Sequence, residues 1–261
     1  HSDILRPSSA LAVYRPFLLR LLRRADRIFA SSPAYLEASP FLRAFRERCL
    51  VIPYGIDLEL FSPARVDPTR REELRARYGP NLVLFVGRLV YYKGLSHLIE
   101  AMRQIQGRLV AIGRGPLEAE LRRQAEALGL EGRIDFLPPV SDQELVNYYG
   151  ACDLFVLPSI YKTEAFGLVQ LEAMALGKPV VSTNLPTGVP YVNQHGVTGL
   201  VVPPADPQAL AAAINALLSD PERRQRYGAA GRRRVEEQFS KGLYARRMLQ
   251  AYEELLRERG S

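Results

Sequence analysis

Apolar and polar positions from Asn81 onward switch repeatedly between two patterns. Short apolar runs occur in "LVLFVGRL", "RLVAIG", "RIDFLPP" and "CDLFVLPS". Their length and content predict buried strands. Between them the spacing turns helical: "KGLSHLIEAMRQI" places Leu95, Leu98, Ile99 and Met102 on one face. "GPLEAELRRQAEALGL" predicts an amphipathic helix with Pro116 at its start, where a missing N–H does no harm. "SDQELVNYYGA" opens with Ser141 and carries Glu144 three residues later, the spacing of a capping box. "TEAFGLVQLEAMALGKPVV" predicts a helix stopped by Gly177 and then a strand. "TGLVVPP" and "DPQALAAAINALLSD" repeat the strand-then-helix order. Such alternation implies a parallel sheet covered on both faces. Right-handed crossovers make it a doubly wound, Rossmann-like α/β domain.

The flanks differ. "RPFLLRLLRRADR" predicts a helix, "IFASSP" a short strand, "SPAYLEASPFLRAF" a second helix and "CLVIPYGID" a strand ending in a turn. "YGIDLELFSPARVDPTRREELRARYGP" has little apolar periodicity at its start and several Pro and Gly, as a connector would. "RRQRYGAAGRRRVEEQF" and "KGLYARRMLQAYEELLRER" predict two closing helices. The expected division is residues 1–53, then 54–240 as the main domain, then a final helix in 241–261.

Composition narrows the function classes. The 261 residues are 47% hydrophobic and 24% charged, ordinary globular values. No apolar run reaches a bilayer span, and no leader pattern is visible. The two cysteines, Cys49 and Cys152, are too few for a disulfide framework or a Cys-based zinc site. Both adjoin apolar runs, so buried free thiols in a reducing cytoplasm are expected. The net charge of +7 favours anionic partners. With no Trp and no zinc-finger spacing, nucleic acid is the weakest candidate among them.

Ligands of doubly wound sheets bind beyond the carboxyl ends of the strands. There the sequence places Gly87, Arg88 and Lys93 after the first strand and Gly113, Arg114, Gly115 and Pro116 after the second. Phe136, Leu137 and Pro138 follow at the third. Ser159 and Glu164 come after the fourth, with Phe166, Gly167 and Leu168 at a helix start. A helix N-terminus attracts phosphate through unpaired N–H groups and partial positive charge. Arg88 and Lys93 add two full cations, which together suit a diphosphate. Glu172, inside the helix, is an acceptor-only group suited to the paired hydroxyls of a ribose. Glu164 and Glu172 are eight positions apart, about 12 Å if the whole span were helical. They should then grip different parts of one long ligand.

Five ordered stretches, "GRLVYYKG", "IGRGP", "FLPPVSDQEL", "TEAFGLVQLEAMALGKPVV" and "HGVTGLVVPPADPQAL", resemble the nucleotide-sugar domain of retaining glycosyltransferases of family 4. The resemblance implies the GT-B fold of two Rossmann-like domains, here one complete and one partial. Residues 1–53 would be the tail of the N-terminal acceptor-binding domain, against which the final helix packs back. Glu164 and Glu172 match the family's E-x7-E motif. By the resemblance, Arg88 and Lys93 bind the donor diphosphate, and Gly113 to Pro116 with Phe136 to Pro138 line the base pocket. Glu164 contacts the donor sugar, Phe166, Gly167 and Leu168 present backbone amides, and Glu172 holds the ribose. The implied reaction moves a hexose from a UDP- or GDP-sugar to a glycan or lipid-linked acceptor in bacterial surface polysaccharide synthesis. No cofactor and no obligatory metal are expected. Many relatives carry Pro-Glu in the loop after the fifth strand, where this chain has "TGVPYVNQHG" with Tyr191. No carboxylate is placed as an obvious covalent nucleophile, so front-face attack with the diphosphate as leaving group is expected.

Competing readings exist. Either glutamate alone could be a solvated surface charge, and a binding module without turnover, a sugar-nucleotide epimerase or a phosphorylase would share much of the pattern. "GRGPLE" follows a strand as a dinucleotide fingerprint would, but Glu118 stands at the third glycine position. His1 falls near the acceptor cleft by resemblance, while His97 is expected to face solvent and His195 to sit in a turn. No His, Cys and Asp cluster has metal-ligand spacing. Arg20, Arg23, Arg24 and Arg27 form a helical basic stripe beside Phe17, Leu18, Leu21 and Leu22. The stripe is either a solvated face or a peripheral contact with an anionic membrane, on the inner face of the plasma membrane.

Overall fold

Strand side chains alternate between the two faces of a sheet, and this chain fills both faces with apolar residues. The computed structural model describes residues 8–260. In it, β3 (Leu82–Val86), β4 (Arg108–Ile112), β5 (Ile134–Leu137), β6 (Leu154–Leu157), β7 (Val180–Thr183) and β8 (Gly199–Val202) form a six-stranded sheet. All its pairings are parallel, in the order β5-β4-β3-β6-β7-β8. Leu82, Leu84, Val110, Ile112, Phe155 and Leu157 point into one core. Val83, Phe85, Leu109, Ala111, Leu154 and Val156 point into the other. The predicted doubly wound α/β sheet is therefore present.

Helices cover both faces. The first core is closed by α3 (Pro68–Tyr78), α6 (Asp142–Ala151), α7 (Leu168–Ala175) and α10 (Pro221–Gln238), through Leu74, Tyr149, Leu171 and Val235. The second is closed by α4 (Leu95–Ala101), α5 (Glu118–Ala127) and α9 (Pro207–Leu218), through Leu98, Leu121 and Ile214. A one-turn helix, α8 (Val189–Val192), follows β7.

Several local expectations needed revision. α5 starts at Glu118, and Pro116 lies in the turn before it. Ser141 does cap α6 by accepting from the Glu144 N–H at 3.3 Å. The Glu144 carboxylate instead takes Arg70 at 2.6 Å, so that side chain ties α6 to α3. The apparent connector contains α3, capped by Asp67, because Leu74 and Tyr78 are core residues.

The first fifty residues form their own small cluster. α1 (Ser8–Arg24) leads into β1 (Ile28–Ala30), α2 (Pro33–Ala38) and β2 (Cys49–Val51). β1 and β2 pair in parallel over Leu22, Leu36 and Leu42. The second predicted helix splits into α2 and a 3-10 turn at Arg43–Arg48, since Pro40 interrupts it. The closing helix α11 (Lys241–Gly260) packs on this cluster: the Phe29 and Tyr252 rings lie 5.9 Å apart, and Arg27 bonds Glu258 at 2.6 Å. Where the chain passes between the two sheets it is stitched to its own return. The Ile56 N–H donates to the Phe239 carbonyl, and the Lys241 N–H to the Ile56 carbonyl, each at 2.8 Å. Both cysteines are free; Cys152 is buried with its thiol pushed up to about 12 by burial, while Cys49 is only half-buried. Among the described residues no helix is long and apolar enough to cross a membrane. His1 lies outside the described residues.

Candidate functional site

The strand order reverses between β3 and β6, which opens a crevice beyond their carboxyl ends. The segment after β3 carries Gly87, Arg88 and, in a 3-10 turn, Lys93. The segment after β6 carries Ser159 and Glu164. The Ile160 N–H donates to the Tyr92 carbonyl at 2.8 Å, so the two segments run against each other. Lys93 Nζ meets Glu164 Oε2 at 2.6 Å, with the side chains 12% and 9% exposed. The Ser159 hydroxyl donates to the same oxygen at 3.0 Å. The Thr183 hydroxyl in turn bonds the Ser159 carbonyl, fixing the support from β7. One carboxylate oxygen is thus engaged twice, by Lys93 and by Ser159.

Gly167 is the residue before α7 and has φ of +73°. A Cβ there would sit 2.5 Å from Leu157 Cδ2, so only glycine lets the loop press on β6 while turning into the helix. The first turn of α7 has no preceding helical carbonyls to serve its N–H groups. Phe166 is buried against Tyr54, rings 5.2 Å apart, while Leu168 is 44% exposed. A cavity of about 550 Å³ is lined here by Tyr54, Lys93, Thr163, Glu164, Gly167 and Leu168. Thr163 Oγ1 is buried with no hydrogen-bond partner.

A second cavity, of about 360 Å³, lies beyond β3 and β4. Val86, Gly87, Arg88, Gly113, Arg114 and Val140 line it, joined by Ile112, Pro139 and Leu145. A Cβ on Gly113 would collide with the Gly87 carbonyl oxygen, so the two loops touch backbone to backbone. Arg88 and Arg114 are exposed, with no side-chain partner among the described residues. Gly115, Phe136 and Leu137 do not line this cavity. Phe136 lies under the Arg122 guanidinium, 4.9 Å from ring centre, and Leu137 packs on the first core. Alternation along β5 sends its side chains to the sheet faces, and the loop after it supplies Pro139 and Val140 instead. The expected lining ends at Pro138, whereas the cavity takes the next two residues, Pro139 and Val140. The "PPVSDQEL" stretch held the signal, because its apolar Val140 and Leu145 bracket a helix start.

Glu172 sits in α7, within electrostatic reach of Lys93, and lines neither cavity. Burial pushes its carboxyl up to about 6. Tyr149 of α6 donates to Glu172 Oε2 at 2.9 Å, an interaction the sequence did not disclose. Tyr191 packs away from the crevice, its ring 5.9 Å from Phe239 and under Arg234 at 5.6 Å. Its loop reaches the crevice through the Gly188 N–H, which donates to the Ala165 carbonyl at 2.7 Å. His97 is half-buried rather than solvent-facing, and His195 is exposed, receiving the Val201 N–H at its Nδ1 at 3.0 Å. Among the described residues no group of three or more His, Cys, Asp and Glu is placed to hold a metal.

The comparisons with known proteins agree with this arrangement. The family described as "Glycosyl transferases group 1" matches residues 66–234. The chain is 40% identical over 240 residues to D-rhamnosyltransferase WbpZ of Pseudomonas aeruginosa, covering 92% of this chain and 62% of that protein. It is 37% identical over 252 residues to O-antigen chain mannosyltransferase C of Escherichia coli, covering 97% and 66%. The chain therefore spans less than two thirds of the length of these relatives. The crystal structure of HepE from Anabaena in complex with UDP superposes with a TM-score of 0.85 at 28% identity, over 97% of this chain and 71% of HepE. Sucrose-phosphate synthase from Thermosynechococcus elongatus gives 0.83 at 33% identity, over 97% and 63%. With the family match covering the sheet and the site, and two relatives above a third identity across nearly the whole chain, this chain belongs to the glycosyl transferases of group 1, with the Rossmann-like architecture of GT-B enzymes.

Proposed function

We propose that this chain carries the donor site of a retaining glycosyltransferase, which moves a hexose from a UDP- or GDP-sugar to a glycan or lipid-linked acceptor in bacterial surface polysaccharide synthesis. The observation that carries the reading is the meeting of Lys93, Glu164 and the start of α7 at the β3/β6 crevice, beside an apolar cavity flanked by Arg88. The base lies against Val86, Val140 and Leu145. The diphosphate lies across Arg88, Lys93 and the α7 amides, which oppose the charge that develops as it leaves. These groups supply the positive charge that a divalent cation would otherwise provide, so the reading needs no resident metal. Glu164 offers its remaining oxygen to the donor sugar, and Glu172 receives the ribose hydroxyls. Residues 1–53 with α11 belong, in this reading, to an acceptor-binding unit, and 54–240 to the donor unit. The relatives named as a rhamnosyltransferase and a mannosyltransferase, and the UDP bound by HepE, support the class of donor.

Glu164 Oε2 accepts from both an ammonium and a hydroxyl. Such a carboxylate is a poor nucleophile, which favours front-face attack by the acceptor hydroxyl near the phosphate. A covalent glycosyl adduct trapped on Glu164 would overturn that step. The direct test of the whole reading is calorimetric titration with UDP, GDP, ADP and NAD, beside Glu172→Ala and Lys93→Ala. Binding of one nucleoside diphosphate, weakened by both substitutions, is the expected result. Equal binding by both variants and the parent chain would sink the reading.

A peripheral contact with anionic lipid is proposed for α1. Phe17 is 68% and Leu21 63% exposed, beside exposed Arg20, Arg23 and Arg24. Arg27 is not part of that face, because α1 ends at Arg24 and Arg27 is held by Glu258. Co-sedimentation with vesicles should then require anionic lipid, and binding that ignores lipid charge would end the idea.

A further inference from the structure

Tyr149 is fully buried, and its ring is walled by Phe155 at 5.8 Å and Phe61 at 6.3 Å. Its hydroxyl carries one hydrogen. The nearest acceptor is Glu172 Oε2 at 2.9 Å, with the Val169 carbonyl oxygen farther off at 3.2 Å. A ring so enclosed has no second rotamer to offer. The bond therefore fixes the Glu172 carboxylate and occupies one of its two oxygens. The hydroxyl lies within reach of one α7 carbonyl, that of Val169, but closer to the side chain that, on the reading above, meets the donor ribose.

We infer that Tyr149 is a positioning residue for nucleoside recognition: it holds Glu172 with Oε2 engaged and Oε1 presented, and so sets the preference for a ribose that bears both hydroxyls. The inference rests on the assignment of Glu172 to the ribose. Its logic is that of a site built to accept a particular hydroxyl, which rejects an analogue lacking it because a buried acceptor is then left unpaired.

The same bond has an electrostatic consequence. Burial raises the Glu172 carboxyl, and Tyr149 opposes that rise by donating to the charged form. Asp142, at the start of α6, adds to the rise, and Lys93 lowers it. Loss of the Tyr149 hydroxyl removes the hydrogen bond that favours the carboxylate and leaves the burial in place. Glu172 then takes up its proton at higher pH, and a protonated carboxyl is a weaker acceptor for a ribose hydroxyl.

The experiment compares the parent chain, Tyr149→Phe and Glu172→Gln. Each is titrated with the nucleoside diphosphate that binds and with its 2′-deoxy and 3′-deoxy forms, between about pH 5 and pH 8, the range that spans a carboxyl raised in this way. The phosphate of the ligand also titrates in this range, but identically for all three proteins. Tyr149→Phe should lose about tenfold in affinity for the ribose form, the size of one hydrogen bond to a charged group. It should lose most of the preference over the deoxy forms, and its pH midpoint should move upward. The Glu172 carboxyl carbon, followed by NMR without ligand, should titrate at higher pH in Tyr149→Phe than in the parent. Unchanged ribose preference and an unchanged carboxyl midpoint would overturn the inference. If Glu172→Gln also keeps the parent's ribose preference, the ribose assignment itself fails. If Glu172→Gln loses that preference and Tyr149→Phe keeps it, the role of Tyr149 alone fails.

Discussion

Lys93 and Glu164 reach each other from two different strand ends, Nζ to Oε2 at 2.6 Å, and between them close the floor of the β3/β6 crevice. Both side chains are about nine-tenths buried, at 12% and 9% exposure. A buried pair is costly to break from one side, because the remaining charge keeps its desolvation penalty without its partner. Lys93→Met should therefore destabilise the fold by about 3–5 kcal/mol in urea unfolding. The double variant Lys93→Met/Glu164→Gln should recover a large part of that loss while remaining unable to bind a nucleoside diphosphate. A single variant as stable as the parent would mean that the pair is solvated and that its geometry carries no such weight.

Glu172 gives a dependence on pH of known sign. Its folded carboxyl is raised from 4.5 to about 6, chiefly by burial. Between those values the folded chain binds more protons than the unfolded one, so stability falls as pH rises. The destabilisation is absent below the unfolded value and complete above the folded one. At about 1.4 kcal/mol per unit, the ionised glutamate costs up to about 2 kcal/mol at neutral pH. Glu172→Gln, which keeps an oxygen for Tyr149, should be more stable than the parent at pH 8 by up to about this amount. The difference should vanish toward pH 4, near the unfolded carboxyl value. Chemical unfolding at the two pH values checks it, and a constant difference would mean that Glu172 is not the group responsible. Such a variant would be more stable and bind its ligand worse, as expected of a residue kept for function.

Much of this arrangement was legible in the sequence. Strand and helix periods located all six strands of the main sheet, most plainly the central β3 and β6, which are buried on both faces and read as continuous apolar runs. Lys93, Glu164 and Gly167 were brought together by one rule, that ligands sit beyond the strand ends. What the pattern does not show is the direction of side chains within an element. Phe136 and Leu137 do not line the cavity beyond β3 and β4, while Val140 and Leu145 do. The Tyr149 bond to Glu172 crosses between α6 and α7, and nothing in a one-dimensional pattern says which buried tyrosine meets which carboxylate. α3 was hidden in an apparent connector because its charged face outnumbers the apolar positions, Leu74 and Tyr78, that bury it.

The turn into α7 should tolerate no side chain. Gly167 combines a φ of +73° with a Cβ position 2.5 Å from Leu157 Cδ2. Gly167→Ala should cost about 1–3 kcal/mol from backbone strain alone. It should also displace the amides that face the crevice, so diphosphate affinity should fall more than stability predicts. Thermal unfolding with and without UDP or GDP separates the two effects. Unaltered affinity in a destabilised variant would mean that the α7 amides do not contact the ligand.

The cavity beyond β3 and β4 offers a way to separate base from phosphate. Leu145 and Val140 line it with Val86 and Ile112, all apolar, while Lys93 lies in the neighbouring cavity. Truncating Leu145 to alanine removes contact with a base but touches no charge. By the usual discrimination of an apolar pocket, about 1–3 kcal/mol, the variant should bind the nucleoside diphosphate about tenfold more weakly or worse. Inorganic pyrophosphate, which has no base to place there, should bind the variant and the parent chain equally. Lys93→Ala should weaken both ligands together. Competition of each against a fluorescent nucleotide would measure this. If Leu145→Ala loses pyrophosphate as well, the cavity holds the phosphates rather than the base, and the ligand runs through the crevice in the opposite direction.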